Sequence, residues 1–282
     1  MTSATTLLES TGLTKSFSGH PVLHGVDLQI REGEFLSVMG PSGSGKSTLL
    51  YTISGMDTMT SGSVSFAGQD LAGMRQKELA RLRLTSMGFI FQHVHLLKNL
   101  SLLDNVVLPA YLAGLAPHVE LNDRAMDLME RTGVAELAHR NISEASGGQL
   151  QRVGICRALI NQPKVVFGDE PTGALDSAAA SEIMDILGEL NSEGMTIMLV
   201  SHDPRVAART DRVLYMLDGR LVGDRRQGRY AAEHLDQRQN ELTTWTTSRD
   251  YSHPPEGSRP ADRPGEEVVG TGVGTGSDVT AR

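Results

Sequence analysis

The chain has 282 residues, 39% hydrophobic and 21% charged, with a formal charge of −8 and a pI of about 5.6; it holds enough apolar side chain for a real core, in one large or two modest domains. This acidic balance offers no global field for nucleic acid or an anionic membrane surface, and with no strong basic patch either, no nucleic-acid partner is expected. Cys156 is the single cysteine, which excludes an intrachain disulfide, and the longest apolar runs, such as Thr196-Ile197-Met198-Leu199-Val200, fall far short of the roughly 18 residues that span a bilayer.

Met1-Thr2-Ser3-Ala4-Thr5-Thr6 lacks the basic and apolar regions of a secretory signal, so a cytoplasmic location is expected. Residues 7–39 alternate short apolar runs with turn residues such as Ser18-Gly19-His20-Pro21, the pattern of strands and hairpins. Phe17 at the first turn has two readings: a half-buried aromatic at a strand end, or a flat face for a nucleotide base. The apolar run Phe35 to Met39 then leads into Gly40-Pro41-Ser42-Gly43-Ser44-Gly45-Lys46-Ser47-Thr48, which opens into Leu49-Leu50-Tyr51-Thr52-Ile53. Strand, glycine loop and helix in that order let backbone N–H groups curl round a phosphate at a helix N-terminus. At this spacing Lys46 reaches β- and γ-phosphates and the Ser47 hydroxyl is placed to ligate Mg²⁺. The bland alternative is ordinary loop chemistry of glycine, serine and proline.

Val64-Ser65-Phe66 suggests a strand followed by a turn at Ala67-Gly68-Gln69-Asp70, Lys77 to Leu84 a short helix, and Met87 to Phe91 a strand ending at Gln92. Gln92 is either a loop residue or strand-end ligand chemistry of a parallel sheet. From His93 to Arg140 helical spacing takes over, as in Leu121, Ala125, Leu128 and Met129. His93 and His95 have metal-ligand spacing but no third ligand, and read as an exposed loop pair. The apolar set from Leu96 to Leu108 exceeds what a small insertion needs for its own core, so part of it is expected to meet a partner.

Ala145-Ser146-Gly147-Gly148-Gln149 opens an apolar helix interrupted by Arg152 and Arg157. Its exposed N–H donors make either a second phosphate-binding surface or a flexible helix entry. Cys156, inside that helix, reads as a small core residue. Lys164 to Gly168 is a buried-strand pattern ending in Asp169-Glu170. These carboxylates are either a helix cap on a turn or, beside a phosphate loop, a division of chemistry, Asp169 holding Mg²⁺ through its water shell and Glu170 polarising the attacking water. Ile183, Ile186, Leu187 and Leu190 keep helical spacing, and the strand Thr196 to Val200 ends at Ser201-His202, a third polar strand end. Asp218-Gly219 marks a hairpin, and the folded domain should close near residue 225. Residues 229–245 suggest a helix carrying Ala231, Leu235 and Leu242, with Trp245 packing back; 252–282, with four prolines and six glycines, reads as a disordered tail.

These motifs, in this order, resemble the nucleotide-binding subunit of ABC transporters over residues 1 to about 225. Gly40 to Thr48 is similar to Walker A, Gln92 to the Q-loop, Ser146 to Gln149 to the signature, Val165 to Glu170 to Walker B with its catalytic glutamate, Ala174-Leu175-Asp176 to the D-loop and His202 to the switch histidine. Gly88 to Gln92, Asn105 to Pro109 and Pro171 to Asp176 further resemble the lipoprotein-release and macrolide or antimicrobial-peptide export group, of MacB and LolD type. Two residues depart from the pattern: Ala145 stands where leucine is usual, and Phe17 where tyrosine is usual.

The resemblance implies an α/β P-loop NTPase core of RecA-like type with an antiparallel β subdomain and a helical subdomain at about 93–150, followed by a helical extension at 226–251. It implies ATP and Mg²⁺ as ligands. Glu170, His202, Gln92 and Lys46 would be catalytic; Ser47, Gln92 and Asp169 would surround the metal; and Phe17, Asp176 and the Walker A and signature residues would line the nucleotide. It also implies a dimer with each ATP between one copy's loop and the other's signature, docked through residues 93 to 112 on an FtsX- or MacB-like permease at the inner membrane face. Its rivals are a soluble ABC-type ATPase outside transport, and a regulatory or mechanotransmitting ATPase on a membrane partner.

Overall fold

The computed structural model describes residues 5–114, 117–230 and 234–248. The chain begins as a long antiparallel hairpin of β1 (Thr6–Phe17) and β2 (His20–Arg31). In β2, Val26, Leu28 and Ile30 are buried while Asp27 and Gln29 face water, the period of a sheet with one dry face. After β3 (Phe35–Met39), β4 (Ser61–Phe66) pairs antiparallel with β1, and β5 (Gln69–Asp70) with β4, completing a four-stranded sheet. Gln69 and Asp70, expected in a turn, are therefore a short strand. The turn is confined to Ala67-Gly68, because Phe66 and Gln69 already face each other across the ladder.

The second sheet holds β6 (Met87–Phe91), β7 (Val165–Asp169), β8 (Thr196–Val200), β9 (Arg212–Leu217) and β10 (Arg220–Arg226), in the order β10-β9-β3-β8-β7-β6. All neighbours are parallel except β9 and β10, which turn at Asp218-Gly219 with positive φ at both residues, as a tight hairpin requires. Every residue of β3 and β8 is buried, which is why these strands read as largely apolar runs: both faces are covered.

The helices are α1 (Lys46–Ile53), α2 (Gln76–Ser86), α3 (Leu102–Ala113), α4 (His118–Arg131), α5 (Gly147–Leu159), α6 (Ser177–Ser192), α7 (Pro204–Ala207) and α8 (Leu235–Ser248). Leu36 and Val38 of β3 pack with Leu49, Leu50 and Ile53 of α1 and the inner residues of the four-stranded sheet. On the opposite face Phe35 packs with Ile155 and Leu159 of α5 and Ile183 and Leu187 of α6. A separate helical core joins Leu102, Val106 and Val107 of α3, Leu121, Ala125 and Met129 of α4, Val153 and Cys156 of α5, and Ile160 just beyond it. Of the apolar excess noted in this region, Leu97 stays 48% exposed.

At the C-terminal end, Leu242 of α8 is fully buried with Met39, Ala207, Val213 and Tyr215. The Arg238 guanidinium donates to the carbonyls of Gln227 at 2.7 Å and Arg229 at 3.0 Å. Ala231, the Trp245 side chain and residues 252–282 lie outside the described residues. Among the described residues no helix is long and apolar enough to cross a membrane.

Candidate active site

Val38, Val200, Asp169 and Phe91 form one register row across β3, β8, β7 and β6. Because those strands are parallel, the glycine loop, Ser201-His202, Glu170 and Gln92 all leave the sheet at the same edge, where open α/β sheets collect ligand chemistry.

The loop lies directly on β9. A Cβ at Gly40 would sit 2.0 Å from the Met216 carbonyl oxygen, so no larger residue fits there, and the Gly219 N–H donates to the Ser44 carbonyl at 2.9 Å. Pro41, Ser42 and Gly43 are exposed while Ser44 and Lys46 are buried. Gly45 caps α1 in the left-handed conformation, and the first-turn N–H groups, which include those of Lys46, Ser47 and Thr48, have no carbonyl partner within the helix.

Lys46 Nζ donates to the Gly40 and Pro41 carbonyls, both at 2.8 Å. Burial lowers its pKa, and the nearby Glu170 and Asp169 carboxylates act in the opposite direction. Ser47 Oγ donates to Asp169 Oδ1 at 2.8 Å, and the Tyr51 hydroxyl donates to Oδ2 at 2.5 Å. Burial, then the bond to Asp169, pushes the Tyr51 phenol well above its ordinary range. Glu170 takes a left-handed backbone with φ of 47°, unusual for a residue with a side chain, and Oε1 lies 3.0 Å from His202 Nδ1. A Cβ at Gly173 would come within 2.9 Å of Gln92 Nε2 and 3.2 Å of Glu170 Oε2, so this glycine lets the two side chains approach.

Lys46, Ser47, Gln92, Asp169, Glu170 and His202 thus gather at one edge. The Ser47 hydroxyl and the Asp169 carboxylate, 2.8 Å apart, are oxygen donors of the kind a hard divalent cation takes, and Gln92 leaves the sheet at the same edge. Since the Ser47 proton already points to Asp169, its lone pairs remain available. His93 and His95 stack edge to face with ring centres 6.3 Å apart, and among the described residues no three His, Cys, Asp or Glu side chains are placed to hold a metal.

The other expected residues lie elsewhere. Phe17 is at the end of β1 on the other sheet, 45% exposed. Ser146 and Gln149 form a reciprocal cap on α5: Ser146 Oγ accepts from the Gln149 N–H at 3.3 Å, and Gln149 Oε1 accepts from the Ser146 N–H at 2.8 Å. Gly147 beside them is exposed and Gly148 partly so. Among the described residues no hydrogen bond joins Ser146 to Gln149 with Gly40 to Thr48. Ala145 packs at the margin of the helical core, and Asp176 caps α6 by accepting from the Ala179 N–H at 2.9 Å.

Two contributors were missed in the sequence. Tyr51 could have been found as the polar residue four positions after Ser47, on the same face of α1. Gly173 carried no signal, because its need for space comes from Gln92, 81 positions earlier by sequence number.

The ABC transporter family model matches residues 23–173. The ABC transporter ATP-binding protein YknY of Bacillus subtilis is 46% identical over 201 residues, which are 71% of this chain and 87% of that protein. The chain belongs to the ABC transporter family. Macrolide export ATP-binding/permease protein MacB 1/2 of Paracoccus denitrificans is 49% identical over 212 residues, 75% of this chain but 32% of that protein. This ABC family member therefore spans about a third of the length of its MacB relative. A dimeric ATP-binding cassette solved in a post-hydrolysis state with ADP and Pi superposes with a TM-score of 0.73 at 35% identity, covering 79% of this chain and all of that one. The fold is accordingly the P-loop NTPase core of ABC cassettes, with an antiparallel sheet on one side and a helical layer on the other.

Proposed function

We propose that this chain is the ATP-hydrolysing subunit of an ABC transporter, coupled to an FtsX/MacB-like permease for export or extraction of lipoprotein, lipid-like or antimicrobial-peptide substrates. The reading is carried by the convergence of Lys46, Ser47, Asp169, Glu170 and His202 at one sheet edge, with Glu170 Oε1 3.0 Å from His202 Nδ1.

Hydrolysis of a phosphoanhydride asks the protein for position and charge rather than covalent help. The N–H groups of residues 43–48 cradle the phosphates, and Lys46 exchanges its two loop carbonyls for β- and γ-phosphate oxygens. Ser47, Gln92 and Asp169 would hold Mg²⁺, which when bound would offset charge building on the phosphate oxygens. Glu170 accepts the proton of the attacking water. An ionised carboxylate only accepts hydrogen bonds, so His202 carries a proton on Nδ1, donates it to Glu170 and keeps that carboxylate oriented.

Ser146, capping α5, and Gly147, Gly148 and Gln149, opening it, complete the site of a second copy, whose own signature completes this one. Phe17 stacks on the base, and Asp176 lines the nucleotide. Residues 1–225 act as the cassette with its helical subdomain at about 93–150, and 226–251 as an extension. The permease docks near residues 93–112, beside a cleft of about 230 Å³ lined by Gln92, His95, Leu96, Ile142 and Leu150. That contact holds the subunit at the inner face of the membrane.

The deciding experiment measures phosphate release and sedimentation with ATP. Glu170→Gln should bind ATP and dimerise while hydrolysing about 10²- to 10⁴-fold more slowly than wild type. Wild-type turnover in that variant removes Glu170 from its role, and recovery of the protein from native membranes without a permease removes the transport coupling.

A further inference from the structure

Lys15 and Phe17 are two residues apart on β1, so their side chains leave the same face of the strand. Lys15 is nearly enclosed, its side chain 7% exposed. Its ammonium donates to Asp57 Oδ1 and to the Thr58 carbonyl, both at 2.6 Å, and lies 4.6 Å from the centre of the Phe17 ring. An ammonium has three donors; two are taken by oxygen, and the ring stands beside the third. The oxygens are themselves anchored. Asp57 Oδ1 also accepts from the Thr58 N–H at 2.8 Å, and the Asp57 N–H donates to the Tyr51 carbonyl at 2.9 Å, on the helix that begins at Lys46.

The cation therefore lies against one face of an exposed phenyl ring and ties it to the helix that carries the phosphate loop. A phenylalanine has no hydroxyl with which to fix its own orientation. Here the charge beneath the ring does so by electrostatic attraction to its π face, leaving the other face outward.

We propose that Lys15 is a positioning residue for the nucleotide base: it holds Phe17 from below so that the base stacks on the opposite face, in a cation, phenyl and base sandwich. This rests on the reading of Phe17 as the base-stacking residue. The ion pair with Asp57 fixes the distance between that stacking face and the glycine loop, which sets where a base can lie once its phosphates are bound.

The test compares equilibrium binding of ATP and of inorganic tripolyphosphate to the full chain by calorimetry. Lys15→Met removes the cation, Lys15→Gln keeps a donor for Asp57 and Thr58 without the charge, and Phe17→Ala removes the ring. Expected is a loss of about three- to tenfold in ATP affinity for both Lys15 variants, unchanged tripolyphosphate affinity, recovery in Lys15→Arg, and no further loss when Lys15→Gln is added to Phe17→Ala. Equal weakening of ATP and tripolyphosphate, or no weakening of ATP in Lys15→Gln, overturns the proposal. If Phe17→Ala leaves ATP affinity unchanged, the base-stacking reading falls and the role of Lys15 with it. If wild type binds neither ligand, the ATPase reading itself fails.

Discussion

Tyr51 and Ser47, one turn apart on α1, each donate to a different oxygen of Asp169, at 2.5 and 2.8 Å. One helix thus fixes both ends of a carboxylate that leaves the sheet 118 residues after Tyr51. Tyr51→Phe keeps the ring and deletes one donor. It should cost about 1–2 kcal/mol of stability, read as a lowered unfolding midpoint, and should raise the Mg²⁺ concentration needed for half-maximal nucleotide binding. A Mg²⁺ dependence identical to wild type would show that Ser47 alone orients Asp169.

His202→Ala removes the donor to Glu170 Oε1 without touching the loop. The His202 side chain is 63% exposed, so the fold should tolerate the change. Turnover should fall by about 10²-fold or more, with ATP affinity near wild type. A rise in KM at unchanged kcat would instead assign His202 to ground-state binding.

Leu242 is the apolar anchor of α8 and is fully buried. Leu242→Ala should weaken the docking of that helix by about 2–5 kcal/mol. Because α8 follows the last strand, the loss should appear as local opening before global unfolding. Hydrogen exchange should speed up across Leu235–Ser248 while β3, β7 and β8 stay protected; uniform acceleration would mean that α8 unfolds only with the whole domain.

Burial pushes the Cys156 thiol up to about 11, against a hydrogen bond with Thr132 that lowers it. At pH 8 the folded chain should therefore resist iodoacetamide and label only on unfolding. The fold favours the neutral thiol, so this contribution to stability is intact below the ordinary value of 9.0 and is lost as pH rises from there toward 11. Rapid labelling of the native chain at pH 8 would contradict the buried placement.

Local chemistry made much of the molecule readable. Glycines and Lys46 announce a phosphate loop because their backbone freedom and charge act within a few residues. The strands β3, β7 and β8 show as largely apolar runs because both faces are dry. The turn assigned to Gln69-Asp70 failed because two polar residues carry no periodicity, and only pairing with Ser65 and Phe66 makes them a strand. The helix expected over 229–245 is seen at Leu235–Ser248. Residues 231–233 lie outside the described residues; Arg238 is held by the nearby Gln227 and Arg229 carbonyls, and Leu242 by side chains of distant elements.

From sequence alone came the segments, their polar ends and the family they resemble, since each is written in neighbouring residues. The tertiary structure decided which ends meet. Strand order β10-β9-β3-β8-β7-β6 is set by hydrogen bonds between segments far apart in the chain, and local periodicity does not encode it. That order puts β8 between β3 and β7 and brings His202 to Glu170, and with α1 beneath the sheet it lets Ser47 and Tyr51 reach Asp169. Across β1 and the loop at Asp57, the same non-local packing seats the Lys15 ammonium against Phe17.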